Sequence, residues 1–144
     1  MKKAITQKYS CKAESIVSSC FVVKQVAGNK IEYCEVQNVL WDTGATNTII
    51  SKNIADALGL EPIKKALISG IGGNVEAYTY KINLFFAEEG AWIKELEVLA
   101  CDLEDNDIII GMDTITQGDF AITNKDGATW FSFRIPSKEH IEFG

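Results

Sequence analysis

Short runs rich in β-branched and aromatic residues, separated by turn residues, dominate the chain. Residues 18–27 (SSCFVVKQVA) are the first such run, and Gly28-Asn29 follows it. Residues 31–36 then alternate, with Ile31, Tyr33 and Glu35 facing one way. Gly-Asn between two such runs predicts a hairpin. Val39-Leu40-Trp41 adds a short apolar strand leading into Asp42. Residues 75–86 (VEAYTYKINLFF) read as a strand bounded by Gly72-Gly73 and Gly90. A further strand pair is expected over 93–100 and 107–110. Phe120-Ala121-Ile122, the turn Asn124-Lys125-Asp126-Gly127 and residues 129–135 predict a closing hairpin.

The period changes to a helical one in only two places. Ser51 is a plausible N-cap, Ile54, Ala55 and Leu58 mark an apolar face, and Gly59 and Pro62 end the helix. Residues 112–117 predict a second short helix, stopped by Gly118. Many short strands with frequent turns point to an all-β fold, a small closed barrel or sandwich with one or two short helices. The strand pattern begins at Ser18, so residues 1–17 are expected to be an N-terminal extension and 18–144 a single domain. That size is ordinary for one domain and needs no disulfide or metal staple.

Composition narrows the partners. Apolar residues make up 47% and charged residues 24%, as in a soluble globular protein. The net charge of −6 repels phosphate backbones, so nucleic acid is not an expected partner. The basic residues near the N-terminus are scattered, which reads as a solvated face. Residues 4–14 (AITQKYSCKAE) are too polar for the apolar core of a signal peptide. No apolar run of about 18 residues occurs, so no membrane span is expected. Cys11, Cys20, Cys34 and Cys101 lack the close spacing of a zinc site, and the single histidine, His140, lies near the C-terminus. They read as reduced core cysteines of a cytoplasmic protein, with no metal and no cofactor.

Three features then occur in order: Leu40-Trp41-Asp42-Thr43-Gly44-Ala45, Gly70-Ile71-Gly72-Gly73, and Ile108-Ile109-Ile110-Gly111. An aspartate in a turn after a strand is ordinary turn chemistry by itself. Gly70-Ile71-Gly72-Gly73 could hint at a phosphate cradle, but no Lys-Ser/Thr or helix start follows, so a hairpin tip is the better reading. Ile108 to Gly111 could pass behind the aspartate loop and support it, with Asp113 a helix cap or an ion-pair partner.

In combination and order, these motifs resemble the retropepsin-like aspartic proteases, of the cellular and bacterial kind. The resemblance covers roughly residues 18–122. It implies that Asp42, Thr43 and Gly44 are catalytic, and that Thr43 bonds across a dimer interface. Ala45, Thr46 and the flap glycines Gly70, Gly72 and Gly73 with Ile71 would contact substrate. Ile109, Ile110 and Gly111 would support the site. Thr46 and Asn47 stand where viral members commonly carry two acids.

Only one Asp-Thr/Ser-Gly occurs in 144 residues. A paired-carboxylate site therefore implies a homodimer hydrolysing peptide bonds in a peptide or protein substrate. The terminal hairpin, with Thr129, Phe131, Phe133 and Ile135 on one face and Trp130 on the other, is the expected interface. The alternative is a strand inside the monomer core. A catalytically silent dimerisation or peptide-binding module of the same fold, and a ligand-binding barrel of another kind, are the competing functions.

Overall fold

The computed structural model describes residues 3–25, 30–70 and 72–144. Its elements are β1 (Ala4–Lys8), β2 (Val17–Gln25), β3 (Ile31–Trp41), β4 (Ile49–Ser51), α1 (Lys52–Ala57), β5 (Lys64–Gly70) and β6 (Gly73–Phe86). There follow β7 (Ala91–Cys101), β8 (Ile108–Ile110), α2 (Met112–Ile115), β9 (Asp119–Lys125) and β10 (Ala128–Arg134).

The larger sheet runs β2-β3-β8-β4-β7-β6-β5, and an added β2–β6 pairing closes its first six strands into a barrel. Strand β5 stays outside the closure, paired only with β6. Closure leaves no free edge among those six strands, which removes the template for unwanted strand addition. The smaller sheet runs β1-β10-β9. The barrel with two short helices is the all-β architecture expected from the sequence.

Strand β8 shows why the barrel forms around the isoleucines. It pairs in parallel with β3 and antiparallel with β4, and Ile108 and Ile110 are fully buried. An unbroken apolar run suits a strand covered on both sides. Strands over 93–100 and 107–110 do form, but β4 lies between them, so they are neighbours once removed rather than a pair. The Gly28-Asn29 turn lies outside the described residues; β2 and β3, which flank it, pair antiparallel from Gln25↔Ile31.

Trp41 joins the two sheets. Its ring lies 4.8 Å from Phe131 and 5.0 Å from Phe133, and its indole Nε1 donates to Ser18 Oγ at 2.9 Å. Phe131 and Phe133 are buried, so that face of the terminal hairpin lies within the monomer core, while Trp130 on its other face is exposed. Removing a core phenylalanine costs about 3–5 kcal/mol. The hairpin itself forms as expected, with Asp126 and Gly127 both at positive φ, the conformation a tight hairpin turn requires.

Residues 4–8 differ from the extension that the sequence pattern left there. They form β1 on β10, with buried Ile5 opposite Phe133. The strand shows little of its own alternation because only one of its side chains is buried, and its partner decides it. Helix α1 follows the expected caps: Ser51 Oγ accepts from Asn53 N, and Gly59 past its end has φ +58°. Of the cysteines only Cys20 is a core residue. Burial first, then the Asp107 charge, pushes its thiol up to about 12. Cys11 is exposed, Cys34 and Cys101 are half-buried, and all four are free.

Candidate active site

Strand β3 ends at Trp41 and delivers Asp42 into the loop 42–48. The loop is fastened at almost every residue. Asp42 N donates to Ile110 O at 2.9 Å, and Ala45 N closes the turn onto Asp42 O at 3.1 Å. From the other side, Met112 N donates to Ala45 O at 2.8 Å and Asp113 N to Thr46 O at 3.1 Å. The N–H groups at the start of α2 would otherwise lack intrahelical acceptors, so loop carbonyls satisfy them.

The Asp42 carboxylate is half-buried, and its Oδ1 accepts from Gly44 N at 2.8 Å. Gly44 has no positive φ, so glycine is not needed there for the turn. Space is the reason: a Cβ on Gly44 would stand 3.2 Å from Asp42 Oδ1. Thr43 is exposed, and its hydroxyl has no partner among the described residues.

Thr48 is the buried centre of the brace. Its Oγ1 donates to Asp113 Oδ1 at 2.7 Å, accepts from Gly111 N at 3.1 Å and meets Thr114 Oγ1 at 2.8 Å. Its backbone N–H donates to Asp113 Oδ2 at 3.0 Å. One hydroxyl thus uses its donor and both acceptor positions. Asp113 is therefore neither the cap nor the ion-pair partner expected of it. The N-cap of α2 is Gly111, with no side-chain cap bond, and no ion pair to Asp113 occurs among the described residues. Its carboxylate holds the loop instead.

Thr48 and Thr114 escape a reading by motif because neither belongs to a recognised string. For Thr48 the sequence offers a weak signal, a hydroxyl directly before the apolar pair Ile49-Ile50; for Thr114, in Asp113-Thr114-Ile115-Thr116, it offers none. Directly behind the loop, Ile109 pairs with both β3 and β4 and Ile110 with β3, and Gly111 lies against the loop.

The Gly70–Gly73 pairing closes the β5–β6 hairpin; Ile71 lies outside the described residues. A groove of about 550 Å³ runs between the acid loop and β5, lined among others by Thr46, Asn47, Ala66, Ile68, Leu99 and Asp113. It brings Thr46 together with the hairpin strand. Asp42, Thr43, Gly72 and Gly73 are not in its walls. Among the described residues, no group of His, Cys, Asp or Glu could hold a metal ion.

The aspartyl protease family model matches residues 6–114. The chain belongs to the aspartyl protease family. A search of curated proteins returns no match. Among solved structures, a retropepsin-like aspartic protease from Rickettsia conorii superposes with TM-score 0.56 at 14% identity, covering 93% of this chain and 96% of that one. The retroviral protease-like domain of Ddi1 from Leishmania major gives 0.51 at 17% identity, covering 86% and 94%. EIAV protease, solved with the inhibitor HBY-793, gives 0.49 at 23% identity over 71% of this chain and 86% of its own. The fold of this family member is the retropepsin fold. No helix of it is long and apolar enough to cross a membrane, among the described residues.

Proposed function

We propose that the chain is an aspartic endopeptidase that works as a homodimer, with one Asp42 from each subunit forming the catalytic dyad. The observation that carries this reading is a single Asp-Thr-Gly in the chain, presented on a braced loop in an aspartyl protease fold. Two carboxylates about 3 Å apart share one proton, an effect for which the aspartic protease dyad is the standard example. The ionised carboxylate takes a proton from water as the water oxygen attacks the scissile carbonyl carbon. The protonated partner gives its proton to the carbonyl oxygen. As the tetrahedral intermediate collapses and its C–N bond breaks, the carboxyl that took the water proton gives it to the leaving amine nitrogen, and the other carboxylate takes back a proton from the intermediate's hydroxyl. The exposed, unbonded Thr43 hydroxyl suits a contact with the second subunit, and the β5–β6 hairpin suits closure over substrate. Four free cysteines fit a reducing compartment such as the cytoplasm.

The test compares wild type with Asp42→Asn on a diverse peptide library from acid to neutral pH. Loss of kcat/KM by about 10²-fold or more is expected for the variant. Sedimentation should show both proteins as dimers at working concentration. Equal cleavage by both proteins, or full activity in a monomer, would sink the reading.

A further inference from the structure

The groove between the acid loop and β5 has a chemical character that the fold alone does not specify. Ala66, Ile68 and Leu99 give it apolar walls. Two of its charges cancel, since Lys64 Nζ lies 3.2 Å from Glu97 Oε2. The third, Asp113, is exposed and has no cation among the described residues. Its oxygens bond Thr48, one to the backbone N–H and one to the hydroxyl, and each oxygen keeps acceptor capacity.

A second observation lies in the floor. Thr79 pairs with Leu99 on β7, while the next pair, Tyr80 with Val98, places the buried Val98 inside the barrel. Successive side chains of a strand point to opposite faces, so Thr79 faces the groove. Thr79 is 3% exposed, and its Oγ1 is the buried side-chain polar atom without a hydrogen-bond partner among the described residues. A buried polar atom without a partner is costly and rare in folded proteins.

We propose that this groove binds a substrate side chain with an apolar stem and a cationic head, that of lysine or arginine. The methylene stem lies along Ala66, Ile68 and Leu99, as long basic side chains do on apolar surfaces. The head donates to the Asp113 carboxylate, and the Thr79 hydroxyl supplies a further acceptor as the floor adjusts to the ligand. An acidic side chain is rejected, because Lys64 is already held by Glu97 and Asp113 repels it. The peptide substrate comes from the peptidase reading, but the binding preference can be measured without turnover.

Peptides differing only by lysine, norleucine or glutamate at the groove position are titrated onto the Asp42→Asn protein by fluorescence anisotropy. Lysine should bind about 10-fold tighter than norleucine, the scale of one charged hydrogen bond, and glutamate more weakly than either. In Asp42→Asn/Asp113→Asn the lysine preference should vanish. Thr79→Val in the same background should reduce it by about 2–10-fold. Equal binding of lysine and norleucine, a preference for glutamate, or a lysine preference that survives loss of Asp113 would each overturn the proposal. So would equal weakening of both peptides by Asp113→Asn, which would confine Asp113 to bracing the loop. Wild-type cleavage is followed in parallel. A lysine preference in binding without cleavage supports the groove assignment and rejects the peptidase reading alone.

Discussion

The acid loop and the β5–β6 hairpin both depend on glycine, and they use it in opposite ways. At the base of the loop, a Cβ on Gly111 would stand 2.6 Å from Asn47 O and 2.8 Å from Ala45 O. Nothing there can yield without moving backbone. In the hairpin, a Cβ on Gly72 or Gly73 would meet nothing within 4 Å, and only the φ of +103° at Gly73 asks for glycine. The loop is set by contact and the hairpin by conformation. Leu67 and Val75 of the hairpin are exposed, whereas Thr48 and Thr114 behind the loop are sealed. A segment with few buried contacts opens at low cost, and one enclosed by bonds does not. Under the proposed function, the reacting carboxylate sits on the second kind and the substrate cover on the first.

The largest test of that contrast is Gly111→Ala. The added methyl has no flexible side chain to displace, so urea unfolding should report a loss of about 3 kcal/mol, at the upper end for overpacking. A loss below about 1 kcal/mol would mean that the loop is softer than its contacts indicate. Next comes Thr48→Val, which keeps the shape and removes the hydroxyl. It strands the buried Gly111 N–H and one Asp113 oxygen, so about 2 kcal/mol should be lost. Under the proposed function, peptide cleavage should fall further than stability alone accounts for, since the loop carrying Asp42 loses its side-chain ties to α2 and keeps only backbone N–H bonds. A Thr48→Ser variant, which restores the hydroxyl, should recover most of that cleavage.

The same contrast governs what the sequence could reveal. Residues whose role is written in side-chain pattern were legible: the buried isoleucines of β8, the cap at Ser51 and the turn at Asp126-Gly127. Strands β1, β4 and β5 were not, because their identity comes from partners. AITQK on β1 buries one side chain, IIS on β4 is too short for a period, and KKALISG on β5 projects from the barrel with exposed residues. For the terminal hairpin the sequence left interface and monomer core both open, because it shows that the Phe131 face is apolar without showing what covers it. Trp41 and the barrel cover it. Asp113 was misassigned for a related reason. Its partner Thr48 lies 65 positions away and is brought close only by the β8–β4 pairing.

The smallest effects fall in the hairpin, where their signs are informative. Gly73→Ala forces a side chain into a backbone region that L-residues avoid, so about 1 kcal/mol of stability should be lost. Gly72→Ala meets neither an atom nor a positive φ. It reduces the freedom of the unfolded chain and should be neutral or stabilising by up to about 0.5 kcal/mol. If the hairpin covers substrate, however, Gly72→Ala should still lower kcat/KM by stiffening the tip, so that activity and stability move apart. At the acid loop the two must fall together, because there the geometry that stabilises the chain also aims the carboxylate. Thermal unfolding and peptide cleavage measured on Gly72→Ala and Gly111→Ala therefore decide the comparison. Parallel loss of both properties in Gly72→Ala would show that the hairpin, too, is held by contact.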